Sequence, residues 1–521
     1  MRTPALASFL ALVLTAPALA QDVLVVAPKD LQSAAADWKA YREEQGLSVA
    51  FRDPAAADAD VAAILREAHE KSGRKLRFVM LLGDADKVPC SMHARAGNAI
   101  MGMDGAEPQI ATDALWGDLD GDGVPEIAVG RVPADSPADA KAYLARVVAY
   151  ETSRDFGAWR SKLNVVAGTG GFGPFVDMAL EKLCRDLLAE CVPPAVEVSM
   201  TYANPLSPFC PPPSQFADTA VRRWSEGALV VAYVGHGSER AVDRVRSGKD
   251  QYAILDLDHV AKIAAANGAP VSMFVACSTG HFDGPADCLA EELLRRPKGP
   301  VAVIASSRVS SPYSNGIVAK VMLDALYRSE APTTGELLTA IKRRLVASPA
   351  GDKRREQIDL LAAQMFEPDA DKRRGDREDH LYLYNLLGDP CVRIGRPGKL
   401  EVDAPATIAP GATLTVFIRS PFSGKATIVI ERARKVPVKP SLPVKKTDDD
   451  YRQVYEAANA REVLRAEVDL TTEGASFSLP IPADAAPGAC AIRVHVAGEK
   501  GGGAGGREIE IAAPPAPQTP K

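Results

Sequence analysis

Two apolar runs in this chain end in side chains that can do chemistry. Ala228–Val234 (ALVVAYV) runs into Gly235-His236-Gly237-Ser238, and Val271–Ala276 (VSMFVA) runs into Cys277-Ser278-Thr279-Gly280. Each reads as a buried strand followed at once by a turn. In an open parallel sheet, ligands bind outside the carboxyl ends of the strands, so two neighbouring strands of this kind bring an imidazole beside a thiol. A cysteine is a nucleophile only as its thiolate, and its ordinary pKa is about 8.5. An adjacent imidazole takes that proton and later returns it to a leaving amine. The pattern points to thiol catalysis, with Cys277 as nucleophile and His236 as general base and acid. Taken singly, each residue has a blander reading, the cysteine as a small core hydrophobe and the histidine as a structural strand end.

A second stretch suits a hard cation. Asp118, Asp120, Asp122 and Gly123 reproduce the first half of a calcium loop, D-x-D-x-D-G. The twelfth position is Val129, so no EF-hand is expected. With Glu126 the set still offers oxygen ligands for a structural Ca²⁺, and otherwise it makes a polar turn before a strand. His281 and Asp283 follow Cys277 closely and read as loop residues. Cys288 reads as core.

The elements that must position these groups alternate strand and helix. Strands are expected at Asp22–Ala27, Leu47–Phe51, Leu76–Leu82 and Ile127–Val129, with helices between them. Ser136-Pro137 opens a helix to Glu151, with serine as N-cap and proline at the first helical position. A second alternating series begins at Leu163–Ala167, passes a glycine-rich turn at 168–173 and a helix at Asp177–Glu190, and carries both reactive strand ends. Val301–Ser306 is a further strand, and Leu381–Ile394 closes the series. Such alternation predicts an α/β fold of two tandem doubly wound units. Gly351–Asp379, dense in charge, reads as a solvated or flexible insert. After Pro397-Gly398 short strands follow one another, with a polar insert at Tyr451–Leu464, as in a small immunoglobulin-like β-sandwich. The expected division is 1–20, 21–160, 161–396, 397–512 and a disordered tail at 513–521.

Composition sets the outer bounds. A chain of 521 residues is long enough for about three domains. A formal charge of −6 with no long basic block gives no sign of nucleic-acid binding. Met1–Ala20 has a basic start, a short apolar stretch and Ala18-Leu19-Ala20, the layout of a secretory signal peptide. An exported protein, secreted or periplasmic and without a transmembrane segment, is expected. Eight cysteines are too few for a disulfide scaffold. In an oxidising compartment Cys184–Cys191 or Cys191–Cys210 could bridge, and the sequence leaves the connectivity open.

GHGS at 235–238 and the strand ending in Ala276-Cys277 resemble the His-Gly and Ala-Cys signatures of the caspase-like clan of cysteine peptidases, and within it the gingipain family. Further stretches resemble that family in the same order: LLGD at 81–84, VGRVP at 129–133, GPVAVIASS at 299–307 and LLGDP ending at Pro390. The resemblance covers about Asp22 to Gly395. It implies caspase-like units, protein or peptide substrates, and a thiol mechanism without a redox or organic cofactor. It implies the backbone N–H groups of Gly237 and Cys277 as the oxyanion hole. It also implies Asp177 as the carboxylate of a pocket for Arg or Lys before the cleaved bond, a position that a helix dipole alone would also favour. Family members carry a glutamate that orients the histidine, and Thr169 stands in that place here. The alternative is a catalytically weak or inactive relative, a secreted binding or adhesion protein. For the C-terminal sandwich the expected role is packing on the peptidase or association with a surface.

Overall fold

The computed structural model describes residues 22–54, 61–96, 106–171, 173–436, 445–472 and 474–513. The expected signal segment Met1–Ala20 lies outside the described residues, as does the end of the expected tail.

Ten strands make one sheet. In chain order they are β1 (Val23–Val26), β2 (Val49–Arg52), β3 (Phe78–Leu82), β4 (Ala128–Val132), β5 (Lys162–Ala167), β6 (Glu197–Tyr202), β7 (Val230–Val234), β8 (Val271–Val275), β9 (Ala302–Ser306) and β10 (Tyr384–Leu387). Their spatial order is β2-β1-β3-β4-β10-β9-β8-β7-β5-β6. The two expected α/β units are therefore halves of one continuous sheet. β10 joins them: it runs antiparallel to β9 from Val303↔Leu387 to Ser306↔Tyr384, and Leu387 pairs with Arg131 of β4.

Strand sequence explains the two-sided cover. Along β1, Val23 and Val25 enter the main core while Leu24 and Val26 enter a second core on the opposite face. β3 divides in the same way, with Phe78, Met80 and Leu82 on one face and Val79 and Leu81 on the other. Side chains alternate across a strand, so a strand buried on both faces must be apolar throughout.

Buried ion pairs tie the layers together. Arg42 and Asp389 are both fully buried and 2.7 Å apart. Arg131 and Asp113 form a second buried pair, with bonds at 2.8 and 2.7 Å.

The charged stretch 351–379 is two helices, Lys353–Met365 and Ala370–Leu383. Its charges are used internally. Arg355 donates to the carbonyls of Arg344, Leu345 and Ala347, the open end of the helix Thr334–Val346. Asp376, also buried, accepts from the hydroxyls of Ser311 and Ser314. Ser91–Ala94 pairs antiparallel with Gln109–Thr112. All eight cysteines are free thiols, so neither expected bridge forms.

Beyond residue 397 the chain forms two sheets around a separate apolar core. In Thr413–Arg419 the residues Leu414, Val416 and Ile418 are buried and their neighbours exposed, the alternation of a sheet with one wet face. Where a polar insert was expected, Asp448–Asn459 is a helix opened by a capping box of Thr447 and Asp450. It docks on β6, the outermost strand of the large sheet. The Asn459 amide bonds both ways with the Met200 backbone, accepting from its N–H at 2.9 Å and donating to its carbonyl at 3.0 Å. Tyr455 Oη lies 2.7 Å from Thr201 Oγ1. An open sheet edge is a template for unwanted strand pairing, and here the C-terminal module covers it.

Candidate active site

β7 and β8 are parallel neighbours with Val234 opposite Val275. His236 and Cys277 each lie two residues beyond that pair, so the sheet register delivers them side by side at its carboxyl edge. Both line one cavity of about 360 Å³. Register, rather than loop geometry, therefore matches imidazole to thiol.

His236 is exposed, but its backbone is fixed. The buried Tyr233 donates its hydroxyl to the His236 carbonyl at 2.8 Å. Nε2 of the ring lies 2.8 Å from the Gly170 carbonyl. A carbonyl only accepts, so Nε2 carries the hydrogen and Nδ1 is the basic nitrogen of the neutral ring. The ring is thus oriented by a backbone carbonyl. Thr169 does not take this role: its hydroxyl donates to the Arg244 carbonyl at 2.8 Å.

Cys277 is half-buried, and its sulfur touches Ser310 in the loop after β9. Ser310 N–H lies 3.4 Å from Sγ, Ser310 Oγ 3.6 Å, and the Ser310 carbonyl 3.4 Å. Ser278 follows in the left-handed region with φ 50°, which is uncommon for a residue with a Cβ. It turns the chain sharply after the thiol. Gly237 packs directly on this turn. A Cβ there would sit 2.6 Å from the Cys277 carbonyl oxygen and 2.7 Å from Thr279 Cγ2, so only glycine allows the two backbones to close on one another. Gly237 and Cys277 are thereby held in direct contact.

His281 and Asp283 stand apart from the thiol chemistry. His281 pairs with Glu239 at 2.8 Å, and both carboxylate oxygens of Asp283 accept from Arg308, at 2.6 and 2.5 Å. The Arg308 guanidinium holds the Asp283 carboxyl below its usual range against the opposing effect of burial. Cys288 is buried as expected, and burial pushes its thiol well up.

The cavity walls are largely apolar, with Val165, Leu183, Leu187 and Met200 among them, and Glu181 contributes a carboxylate. Glu181 lies one helical turn after Asp177 in the helix Pro174–Cys191. The side chain of Asp177 lies outside the described residues. Sequence reading missed both Glu181 and Ser310. The available signals were the i, i+4 spacing from Asp177, and the Ser311-Pro312 helix start directly after β9.

Of the four expected calcium ligands the fold gathers three. Asp118, Asp120 and Glu126 bring carboxylate oxygens within 4.8 Å of one another. Asp122 is not in this group, and its Oδ1 accepts from Val124 N–H at 2.7 Å. The three that converge are hard oxygen donors of the type Ca²⁺ prefers. A second group, Asp84, Asp287 and Glu291, meets the same distance limit, and burial pushes the Glu291 carboxyl up to about 8.

The sequence profile of peptidase family C25 matches residues 16–395. Gingipain R2 of Porphyromonas gingivalis is 24% identical over 412 residues, covering 75% of this chain and 48% of that protein. Gingipain R1 of the same organism is 26% identical over 386 residues, covering 71% of this chain and 34% of that protein. The chain thus spans about half or less of the length of these relatives. The crystal structure of the Arg specific cysteine proteinase gingipain R superposes with a TM-score of 0.54 at 20% identity, over 95% of this chain and 98% of that one, a likeness of fold. The resemblance carried by GHGS and Ala276-Cys277 thus extends to the whole α/β region, and the chain belongs to peptidase family C25.

Proposed function

We propose that this protein is an exported cysteine endopeptidase in which Cys277 is the nucleophile and His236 moves the proton. The observation that carries this reading is the register of β7 and β8, which places both residues at the mouth of one cavity. His236 Nδ1 takes the thiol proton, and the thiolate attacks the scissile carbonyl carbon. The N–H groups of Gly237 and Cys277 receive the developing oxyanion, a contribution of about 3–4 kcal/mol for a well-aimed donor. The imidazolium then gives its proton to the leaving amine, and a thioester remains. Water, deprotonated by His236, hydrolyses it and restores the thiol.

For the residue before the cleaved bond, the reading is Arg or Lys. Apolar walls suit the methylene stem and the Glu181 carboxylate suits the cationic head, with Asp177 in the preceding turn. The name of the Arg specific cysteine proteinase gingipain R agrees with an Arg preference. A thiol-directed acyloxymethyl ketone carrying Arg or Lys should label Cys277, read by mass spectrometry of that peptide. Glu181→Gln should lower kcat/KM for Arg and Lys peptides by about tenfold and leave Leu peptides unchanged. Equal labelling by Asp- and Arg-bearing probes would sink the preference.

Export rests on the layout of Met1–Ala20, and among the described residues no helix is long and apolar enough to cross a membrane. Calcium belongs to the same reading, held by Asp118, Asp120 and Glu126, where it would neutralise their mutual repulsion. Removing it with a chelator should lower the melting temperature by several degrees, and Asp118→Asn should abolish that response. An identical melting temperature with and without chelator would end the calcium assignment. The immunoglobulin-like character of the C-terminal module is supported by its two-sheet layout. Its docking on β6 favours a packing role over surface attachment.

A further inference from the structure

Behind the thiol runs a set of hydrogen bonds that begins at a buried phenol. Tyr384, at the start of β10, is 1% exposed, and its hydroxyl lies 2.7 Å from Asn315 Oδ1. A phenol has one hydrogen to give, and it goes to that amide oxygen. The Asn315 amide is thereby oriented, and its Nδ2 donates to Ser310 Oγ at 2.8 Å. The bond occupies a lone pair of the hydroxyl. Ser310 is 2% exposed, and its hydroxyl lies 3.6 Å from Cys277 Sγ and also hydrogen-bonds the Tyr384 hydroxyl, so sulfur and phenol oxygen both lie within reach of its hydrogen. Ser310 N–H, at 3.4 Å, is a second donor to the same sulfur.

We infer that Ser310 is a further catalytic residue, one that stabilises the Cys277 thiolate, with Asn315 and Tyr384 as positioning residues that hold its hydroxyl. The inference rests on the proposed role of Cys277. In the resting thiol, the S–H points to the Ser310 carbonyl at 3.4 Å. When His236 removes that proton, the S–H bond breaks and an N–H bond forms on Nδ1. The sulfur, now anionic, accepts from both Ser310 N–H and Ser310 Oγ–H. Hydrogen bonds to the charged form favour it. Once the thioester has formed the sulfur is neutral and these bonds lose their advantage, so the donors act on the supply of thiolate. Burial raises the Tyr384 hydroxyl well above its usual range, which keeps it protonated as the donor at the head of the set.

The test is the pH dependence of Cys277 alkylation by iodoacetamide in the full chain, followed through the mass of the Cys277 peptide. Ser310→Ala should raise the midpoint by about one pH unit, slowing alkylation about tenfold below it. Ser310→Thr, which keeps the hydroxyl, should restore the wild-type profile. Tyr384→Phe, which frees the Asn315 amide to turn, should shift the midpoint in the same direction by less. Coincident midpoints for wild type and a folded Ser310→Ala would overturn the proposal. Should Ser310→Ala fail to fold, an unshifted Tyr384→Phe profile would do so. Peptide hydrolysis surviving in Cys277→Ala is a different failure, that of the peptidase reading itself.

Discussion

Cys277→Ala is expected to lower peptide turnover by about 10⁴-fold or more while leaving the melting temperature within a degree or two of wild type. The two halves of this expectation come from different features. Chemistry stops because no other nucleophile replaces the sulfur: Cys288 is sealed in the core, and Cys184, which also lines the cavity, is held as a neutral thiol, pushed by burial up to about 11. The fold persists because the sulfur is half-exposed and its hydrogen-bond partners all belong to Ser310. A methyl group in its place leaves no charge unpaired and only a small void. A residual rate is still expected, since the amides of Gly237 and residue 277 and the cavity itself survive the change. Peptide hydrolysis by this variant at more than about 1% of the wild-type rate would remove Cys277 from the mechanism.

The largest loss of stability is expected at Asp389→Ala. Asp389 Oδ2 accepts from Arg42 and from Trp38 Nε1, both at 2.7 Å, and Oδ1 accepts from Cys391 N–H at 2.8 Å. Its own N–H donates to Tyr143 Oη at 2.8 Å. The neighbouring carboxylates raise the Arg42 guanidinium further above its usual range despite its burial, so this side chain keeps its charge whatever happens to its partners. Removing Asp389 leaves that charge in the core with Glu151 alone, at 2.8 Å. Breaking a buried pair from one side costs about 3–5 kcal/mol, and the lost Trp38 bond adds to it. Urea unfolding of Asp389→Ala should show a midpoint shift of that size, and Asp389→Asn, which still accepts from Trp38, a smaller one. A shift below about 1 kcal/mol would mean that Glu151 and Gln45 suffice for Arg42.

The reactive strand ends were legible because a strand buried on both faces is apolar nearly throughout, as 230–234 is and as 271–275 is apart from Ser272, whose hydroxyl accepts from Trp224. The glycine beside each reactive residue completed the signal. Ser310 was not legible, although it touches the nucleophile. It lies 33 residues from Cys277, is joined to it only through the pairing of β8 with β9, and serine is too common a residue to stand out. The Gly170 carbonyl was invisible for a deeper reason. A backbone acceptor has no residue type, so no side chain in the sequence marks the contact it makes with His236. Charge misled in 351–379, where Arg355 and Asp376 read as solvated groups and instead satisfy helix ends and hydroxyls inside the fold. The join between the two α/β halves was also hidden, because nothing local shows that β10 returns to lie between β9 and β4.

β6 has two clients. Met200 and Tyr202 form part of the cavity wall, while the backbone of Met200 is clamped by Asn459 from the C-terminal module. A force applied to that module therefore reaches the substrate recess through β6, at Met200 and at its neighbour Thr201. Catalytic and accessory regions are separable as text but share a mechanical member, and a shortened enzyme ending near residue 397 would lose a buttress of its recess along with its appendage.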